Sequence, residues 1–242
     1  MSNEPYKLAF YSCFYGSDSN KTFSIPPLPS KKYKCYFYTN NQSMILRLKH
    51  TGWIAIFDNK PSTDDLIESC MLGKYVKVLT HKSKELQAYD YTCFLDSKYG
   101  KVKDGFVEKF IDTYFIKNHY ALLLREHWFV PPCIWDEYSV SVGLNPKFRK
   151  QQRYIVQKDQ YRRYIEKQLS TGLEETVDHH SCCGFLIRNM KHPYINQLNN
   201  TWYEHIQECG IQDQISFFFI KQIFHDYILP FKELPFTTPD II

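Results

Sequence analysis

The sequence lacks the motifs that identify several common enzyme and metal-binding classes. It has no CxxC pair, so a structural zinc site has little support. No GxGxxG follows the first strand-like segment, and no GxxxxGK precedes a Ser or Thr, so the dinucleotide fingerprint and the P-loop are both absent. The GxSxG nucleophile elbow is missing as well. Any phosphate chemistry must therefore use a different arrangement of residues.

Long apolar runs and strong net charge are also missing. No apolar segment approaches the ~20 residues of a membrane-spanning helix, and the first residues, MSNEPYKLAF, show no signal-peptide pattern. The net charge is only +4, which does not by itself indicate nucleic-acid binding. Cys13, Cys35 and Cys93 lie in apolar strand-like segments, as reduced core cysteines do. We expect a cytoplasmic protein, or one whose membrane anchor lies outside this chain.

Strand-like and helix-like segments alternate along the first half of the chain. Strands are predicted at 6–16, 33–41, 53–59, 91–95 and 120–129. Helices are predicted at 64–78, where Asp64 and Asp65 can cap the first turn, and at 104–118. The second half adds a strand at 182–189, a helix at 194–210 that ends at Gly210, and a further helix, or a helix plus a strand, at 211–224. This alternation predicts an α/β fold whose mostly parallel sheet is flanked by helices.

Three of the predicted strands end in polar residues. These residues are Tyr15 and Gly16 at the end of the first, Thr39 and Asn40 at the end of the second, and Asp96, Ser97 and Lys98 directly after the fourth. Ligands of open parallel sheets bind at the carboxyl ends of the strands. We therefore expect these residues to converge on one binding cleft, here called the mouth. A carboxylate, amides, hydroxyls and a lysine suit a ligand that carries both hydroxyls and phosphates. A nucleotide-sugar is such a ligand.

Longer segments resemble a known family. The segments are KYVKVLTHKSKELQAYDYTCFLDSK (74–98), a region with His127, Trp128 and Glu137, GFLIRN (184–189) and TWYEHIQECGIQDQISF (201–217). In this order they resemble a glycosyltransferase-like family long catalogued as a domain of unknown function, whose plant members are linked to cell-wall polysaccharide synthesis. Asp96 also resembles the first residue of the DxD element of GT-A glycosyltransferases. The resemblance spans about residues 6–220.

The resemblance implies a single domain over 1–242 with a GT-A (Rossmann-like) mixed sheet. It implies a nucleotide-sugar bound mainly by residues 1–130 and a glycan acceptor bound mainly by residues 131–242. The implied donor-binding residues are Tyr15, Gly16, Thr39, Asn40, His81, Asp96 and Ser97. The implied acceptor-binding residues are His127, Glu137 and Arg188. Asp213, beside Gln214, would be a general base in an inverting reaction or would stabilise an oxocarbenium-like transition state in a retaining one.

One position departs from the DxD pattern. Lys98 occupies the place of the second Asp, and an ammonium group does not ligate a divalent cation. Two alternatives remain open. Either Asp96 holds Mn²⁺ or Mg²⁺ with another group such as His225, or Lys98 itself neutralises the leaving diphosphate and so takes part in catalysis.

Other interpretations of these residues compete with catalysis. Asp96 can cap a turn, and His179 and His180 should point to opposite faces of a strand instead of sharing a metal. The missing second Asp favours a catalytically inactive nucleotide-sugar or glycan-binding module as the second functional hypothesis. Nucleic-acid binding through KFRKQQRYIVQKDQYRRY (147–164) ranks last, because the segment also holds acidic residues and the net charge is low. We expect no nucleic-acid partner.

Overall fold

The structure, a computed structural model, describes residues 6–19, 23–127, 130–147 and 151–237, in which seven strands form one mixed sheet. The strands are β1 (Leu8–Phe14), β2 (Lys34–Thr39), β3 (Ile54–Phe57), β4 (Tyr91–Leu95), β5 (Leu122–Glu126), β6 (Ser181–Asn189) and β7 (Ile228–Phe231). Their order is β3-β2-β1-β4-β6-β5-β7. Only β6 is antiparallel to its neighbours, so the predicted mixed, mostly parallel sheet is confirmed.

Helices connect the strands. They are α1 (Gln42–Leu48), α2 (Leu66–Val78), α3 (Phe106–Phe110), α4 (Ile134–Ser141), α5 (Gln152–Ile155), α6 (Lys158–Ser170), α7 (Ile195–Cys209) and α8 (Asp213–Ile223). Short 3₁₀ helices cover Thr80–Lys82 and His225–Tyr227, and a π-helical turn, Ile111–Phe115, continues α3. As predicted, Asp65 caps α2 by accepting from two backbone N–H groups. Gly210 ends α7 at φ 113°, as predicted for a helix stop.

The sheet buries apolar side chains on both faces, because alternate residues of each strand point in opposite directions. On one face, Ala9 and Tyr11 belong to a cluster completed by α2, α7 and the later turns of α8. On the other face, Leu8 and Phe10 belong to a cluster with α1 and α3. A third cluster joins α4, α6 and the first turns of α8. Together these clusters cover the sheet with helices on both sides.

The last strand was not predicted from the sequence. β7 comprises only four residues and pairs with β5 at the outer edge of the sheet. It contains Pro230, which lacks a backbone N–H and is tolerated on an edge strand. A strand of four residues is too short to show a clear alternation of apolar and polar side chains.

The strand directions define two edges of the sheet. All strands except β6 run the same way, so their carboxyl ends share one edge, here called the carboxyl edge. Their amino ends share the opposite, amino edge, and β6 begins at the carboxyl edge. Because β6 lies between β4 and β5, strands from both predicted halves of the chain build this edge. The division of labour between those halves stays a prediction.

Crossing a bilayer takes a longer and more apolar helix than any that occurs in the described part of the chain.

Candidate functional site

The loops after β1 and β2 meet at the carboxyl edge. The Gly16 N–H donates to Asn40 Oδ1 over 3.0 Å, and Asn41 Nδ2 donates to the Gly16 carbonyl over 2.9 Å. Gly16 has φ 123°, which favours glycine, and a Cβ at this position would lie 3.0 Å from Ser69 Oγ. The structure therefore brings the first two predicted strand ends together.

The side chains at these two strand ends form hydrogen bonds within the protein. The Tyr15 hydroxyl donates to Asp58 Oδ2 over 3.0 Å, and burial raises the pKa of the Tyr15 phenol. Thr39 Oγ1 accepts from the Asn41 N–H over 3.1 Å, and Asn40 Nδ2 donates to the Pro61 carbonyl over 2.8 Å. These contacts fix the shape of the mouth, while donor binding by Tyr15, Gly16, Thr39 and Asn40 stays a prediction.

Asp96 continues β4 by one residue and then begins a turn. Its N–H donates to the Gly184 carbonyl over 2.8 Å, and its Oδ1 accepts from the Ser97 N–H over 2.8 Å. The Asp96 carbonyl accepts from the Tyr99 N–H over 3.2 Å, and Asp96 is only partly buried. Asp96 thus caps a turn at the carboxyl edge, and its ligand-binding role stays a prediction.

Lys98 lies on the exposed side of the same turn. Its Nζ is 5.4 Å from the centre of the Tyr99 ring. Burial lowers the pKa of Lys98, but the Asp96 carboxylate, with smaller contributions from Tyr154, Cys182 and Asp213, offsets this effect, so the net pKa is above the usual value. The ammonium group therefore remains charged at neutral pH beside Asp96.

Asp213 brings a second carboxylate to this edge. It begins α8 and is 4 % exposed, and its Oδ2 accepts from Lys74 Nζ over 2.8 Å and also from Lys77 Nζ. Cys183 Sγ contacts the Asp213 carbonyl over 3.9 Å. Because Cys183 directly precedes Gly184, whose carbonyl accepts from the Asp96 N–H, the backbones of Asp96 and Asp213 contact adjacent residues of β6.

The two lysines keep Asp213 ionised. Burial raises the pKa of Asp213, but the ammonium groups of Lys74 and Lys77 lower it more, to about 2. A general base works best when its pKa lies near the working pH, so this carboxylate is a weak base at neutral pH. A carboxylate that stays ionised suits electrostatic stabilisation better than general-base catalysis, and the role of Asp213 stays a prediction.

Arg153 lies near this cluster, although no sequence motif indicated it. From α5, its Nη1 donates to Cys70 Sγ on α2 over 3.8 Å, and its Nη2 donates to Gln151 Oε1 over 2.9 Å. Burial lowers the pKa of Arg153, but Tyr154, Cys70 and Asp96 raise it more. Its charge therefore interacts with the Asp96 carboxylate.

The segment 147–164 showed only a basic, tyrosine-containing pattern in the sequence. Its Tyr161 and Tyr164 are buried in the core between α4, α6 and α8, so neither offers a stacking surface to a nucleic-acid base. Residues 148–150 of this segment lie outside the described residues.

Glu137 is the centre of a buried hydrogen-bond network. Its Oε1 accepts from Ser141 Oγ and Gln212 Nε2, both over 2.9 Å. Its Oε2 accepts from His180 Nε2 over 2.8 Å and from Gln214 Nε2 over 3.4 Å. Burial raises the pKa of Glu137, but the hydrogen bonds from His180 and Ser141 and the nearby imidazoles together lower it more, so the group stays ionised. Glu137 thereby holds Gln214, the neighbour of Asp213.

His127 follows β5 at the same edge and packs on His180. The ring centres are 5.2 Å apart, and the His127 N–H donates to the His180 carbonyl over 2.8 Å. Burial lowers the pKa of His127 to about 4, so the imidazole is neutral at pH 7. Because its Nδ1 accepts from the Val130 N–H over 3.2 Å, we assign the ring hydrogen to Nε2.

The neighbouring histidines point in opposite directions. The side chain of His180 is 1 % exposed and that of His179 is 45 % exposed, as expected for adjacent residues of an extended segment. Trp128, which the family resemblance includes, lies outside the described residues.

Arg188 does not share a site with Asp96. It pairs with Thr92 near the amino edge, whereas Asp96 lies four residues further along, about 13 Å along a strand. The Arg188 side chain is 0 % exposed and donates to the Tyr11 hydroxyl over 2.7 Å and to Asn199 Oδ1 over 3.2 Å. The prediction that Arg188 binds an acceptor or phosphate in this mouth is therefore wrong, because its guanidinium is sealed in the core.

His81 also lies at the wrong edge. It follows α2, and the preceding Thr80 contacts Met190, directly after β6, with 3.5 Å between Oγ1 and Sδ. Since β6 ends at the amino edge, the whole length of β4 separates His81 from Asp96. The prediction that these two residues bind one donor is wrong, because α2 runs away from the mouth and carries its last turn to the opposite edge.

His225 cannot complete a metal site with Asp96. It precedes β7 at the amino edge, and three strand spacings separate β7 from β4, which is about 14 Å across the sheet. Metal ligands lie only ~2.0–2.6 Å from a Mg²⁺ or Ca²⁺ ion, so these two side chains cannot share one. The Asp96–His225 pairing is therefore wrong.

The charged groups near Asp96 do not fit a divalent metal ion. Among the residues that the structure describes, no group of three or more His, Cys, Asp and Glu side chains is arranged to hold a metal. Asp96 interacts instead with two cations, Lys98 and Arg153. Asp213 forms salt bridges with two lysines. Cationic side chains repel Mn²⁺ and Mg²⁺, and they attract phosphate.

No family model matches this chain, and no curated protein matches its sequence. Several solved structures are similar to it. Mouse xyloside xylosyltransferase 1 in its apo form is 12% identical over 93% of this chain and 85% of that one, with a TM-score of 0.47. The apo bifunctional glycosyltransferase WbbM is 10% identical over 96% of this chain and 40% of the WbbM chain, with a TM-score of 0.46.

Core-mannan synthase A from Aspergillus fumigatus, in a Mn/GDP form, is 12% identical over 93% of this chain and 72% of that one. Its TM-score is 0.51, and at this level of identity the likeness shows the fold alone. The seven-stranded mixed sheet, flanked by helices on both faces, has the same architecture. The chain therefore has the GT-A fold.

Proposed function

We propose that this chain is a glycosyltransferase that moves a sugar from a nucleotide-sugar donor to a hydroxyl of a glycan or another acceptor. The observation that carries the proposal is the meeting of Asp96 and Asp213 with lysines at the carboxyl edge of a GT-A sheet. Open α/β sheets bind ligands at this edge, and fixed ammonium groups suit a diphosphate.

The donor would lie along the ends of β1, β2 and β4. The loops at Gly16 and Asn40 would receive the nucleoside, while Asp96 and Ser97 would contact the ribose or the sugar. Core-mannan synthase A was solved with GDP, which supports a nucleoside-diphosphate donor for a protein of this fold. We carry over this chemical class only, and not its base or its sugar.

The acceptor would lie at the ends of β5 and β6. His127 presents a neutral imidazole there, packed on His180, and would contact the acceptor. Glu137 would act through Gln214, which it orients, because its own carboxylate is buried and has four donors. Gln214 is half-buried and so remains within reach of a ligand.

In the reaction, the bond between the sugar anomeric carbon and the diphosphate oxygen breaks, and the diphosphate keeps the electron pair. The acceptor hydroxyl oxygen forms the new bond, and its proton passes to the departing diphosphate. Negative charge grows on the diphosphate as it leaves, so a fixed cation at Lys98 stabilises the transition state more than the ground state. Asp213 remains an anion and would stabilise positive charge on the sugar ring.

Thermal-shift screening of nucleotide-sugars tests the proposal, because a ligand that binds the native state raises its melting temperature. We expect one or more nucleotide-sugars to raise the melting temperature of the native protein and to lose this effect in Asp96→Ala. Asp112→Ala is the matched control, because Asp112 is exposed and lies near Tyr91 at the amino end of β4.

Nucleotide-sugars that raise the melting temperature are then assayed for hydrolysis and for sugar transfer. Turnover supports a glycosyltransferase, whereas binding without turnover identifies the inactive binding module. Unchanged nucleotide-sugar affinity in a folded Asp96→Ala protein contradicts the proposed donor site.

A further inference from the structure

We infer that the donor diphosphate is held by Arg153 of α5 and Lys98 of the turn after β4 in place of a divalent metal ion, while the lysines of α2 pair with Asp213 beneath them. This inference rests on the proposed function and specifies how the same mouth recognises its donor. Arg153 was not among the residues that the sequence indicated.

The contacts connect Arg153 to the two carboxylates step by step. Asp96 bonds Gly184, and the adjacent Cys183 contacts Asp213. Asp213 is bound by Lys74, which lies four residues after Cys70 on α2. Residues four apart on a helix are neighbours on one face, with their Cβ atoms ~6 Å apart.

Because Cys70 contacts the Arg153 guanidinium, this group lies about one helical turn from the Lys74–Asp213 ion pair. Four cations thus surround two carboxylates: Lys74, Lys77, Lys98 and Arg153 around Asp96 and Asp213. Among these six side chains, positive charges outnumber negative ones by two. A nucleotide-sugar brings two ionised phosphates, so a bound donor neutralises the cluster without a metal ion.

Arg153 has weak partners for a guanidinium. Its acceptors are a thiol and a side-chain amide, and within the described residues it forms no ion pair with a carboxylate. A thiol sulfur is a weak acceptor, whereas the planar guanidinium matches the paired oxygens of a phosphate. Arg153 is also only half-buried, so a ligand can reach it. The missing strong partner is, in this inference, a phosphate of the donor.

Calorimetric titration with inorganic pyrophosphate and with UDP and GDP tests the inference, once in EDTA and once with Mn²⁺. Pyrophosphate presents the diphosphate without a base or a sugar. We expect binding in EDTA, weakened by added salt. Arg153→Gln should weaken binding about tenfold or more, because it removes charge-assisted hydrogen bonds.

Two further variants make the result specific. Arg163→Gln removes the same charge from an exposed position on α6 and should leave affinity unchanged. Lys98→Gln changes an exposed side chain of the cluster and should weaken binding in EDTA even if Arg153→Gln fails to fold.

Binding that occurs only with Mn²⁺, or equal affinity in the native protein and both cluster variants, overturns the inference and leaves the proposed glycosyltransferase intact. Failure of every nucleoside diphosphate and nucleotide-sugar to bind, with and without Mn²⁺, overturns both.

Discussion

Lys74 on α2 and Asp213 on α8 form a salt bridge of 2.8 Å between Nζ and Oδ2, beneath the mouth of the sheet. The bond joins helices from the two halves of the chain, and Lys77 adds a second cation to the same oxygen. The carboxylate is buried, so its removal leaves two ammonium groups without their counter-ion. Fold stability and site chemistry thus depend on the same group.

Asp213→Asn should lower the free energy of unfolding at pH 7 by about 3 kcal/mol, the usual cost of breaking a buried ion pair from one side. The folded-state pKa of Asp213 is depressed to about 2, so its stabilisation is present above about pH 4 and is lost as pH falls toward 2. Linkage gives a loss of about 2 kcal/mol, since each pKa unit corresponds to ~1.4 kcal/mol. Urea unfolding of both proteins from pH 3 to pH 7 measures it.

The difference between native protein and Asp213→Asn should therefore shrink as pH falls from 5 to 3. Asp159→Asn, an exposed carboxylate on α6, is the control and should change little at pH 7. A difference that stays constant down to pH 3 contradicts the depressed pKa.

At a temperature where Asp213→Asn is folded, it should transfer sugar about 100-fold more slowly, since a preorganised charge typically contributes this much or more. Donor binding should not weaken, because the freed ammonium groups attract phosphate. Single-turnover rates and nucleotide-sugar affinities separate the two effects. A near-native rate would show that Asp213 serves stability alone.

Lys98→Ala should lower turnover by about 100-fold while the melting temperature stays within a degree or two, because the side chain is exposed and its role is electrostatic. Lys103→Ala is the matched control, since Lys103 is exposed on the segment that follows the same strand. Steady-state kinetics with saturating donor, in EDTA and with Mn²⁺, measure the effect. Equal turnover in both variants would place Lys98 outside the reaction.

His127 should stay neutral between pH 5 and pH 8 and titrate near pH 4, because burial disfavours its charged form. NMR of the imidazole protons, assigned by the signal that disappears in His127→Gln, measures the titration. Below pH 6.5 the unfolded chain binds a proton that the folded protein excludes, so stability falls as pH drops toward 4. His127→Gln should flatten this slope, and a midpoint near 6.5 would refute the assignment.

Glu137→Ala should lower the free energy of unfolding by about 3–5 kcal/mol, because a buried carboxylate that accepts from four donors is removed. Glu137→Gln keeps the shape and one acceptor oxygen and should cost less. Gln214→Ala should cost least, because its bond to Glu137 is 3.4 Å and it is half-exposed. Urea unfolding at pH 7 ranks the three variants, and a different order would show that Glu137 is not the centre of the network.

Several features of the fold followed from the sequence, because they depend on residues close together in the chain. Apolar and aromatic runs predicted six of the seven strands, Asp65 predicted the start of α2, and Gly210 predicted the end of α7. The polar strand ends at Gly16, Asn40 and Asp96 also followed once the strands were taken as parallel. Period, capping and turn chemistry are local, so a sequence displays them directly.

The tertiary structure determined which charged side chains lie together at the mouth. The sequence marked Arg188, His81 and His225 as polar, but strand direction and the course of α2 placed all three at the amino edge. The same packing brought Lys74 and Arg153 toward Asp213, although nothing in the basic segment distinguishes Arg153 from Arg163. The packing of the helices on the sheet determines where each charged side chain lies. The side chain can be buried in the core, exposed to solvent or placed beside a ligand. That choice depends on burying apolar area between residues distant in the chain, which no local pattern records.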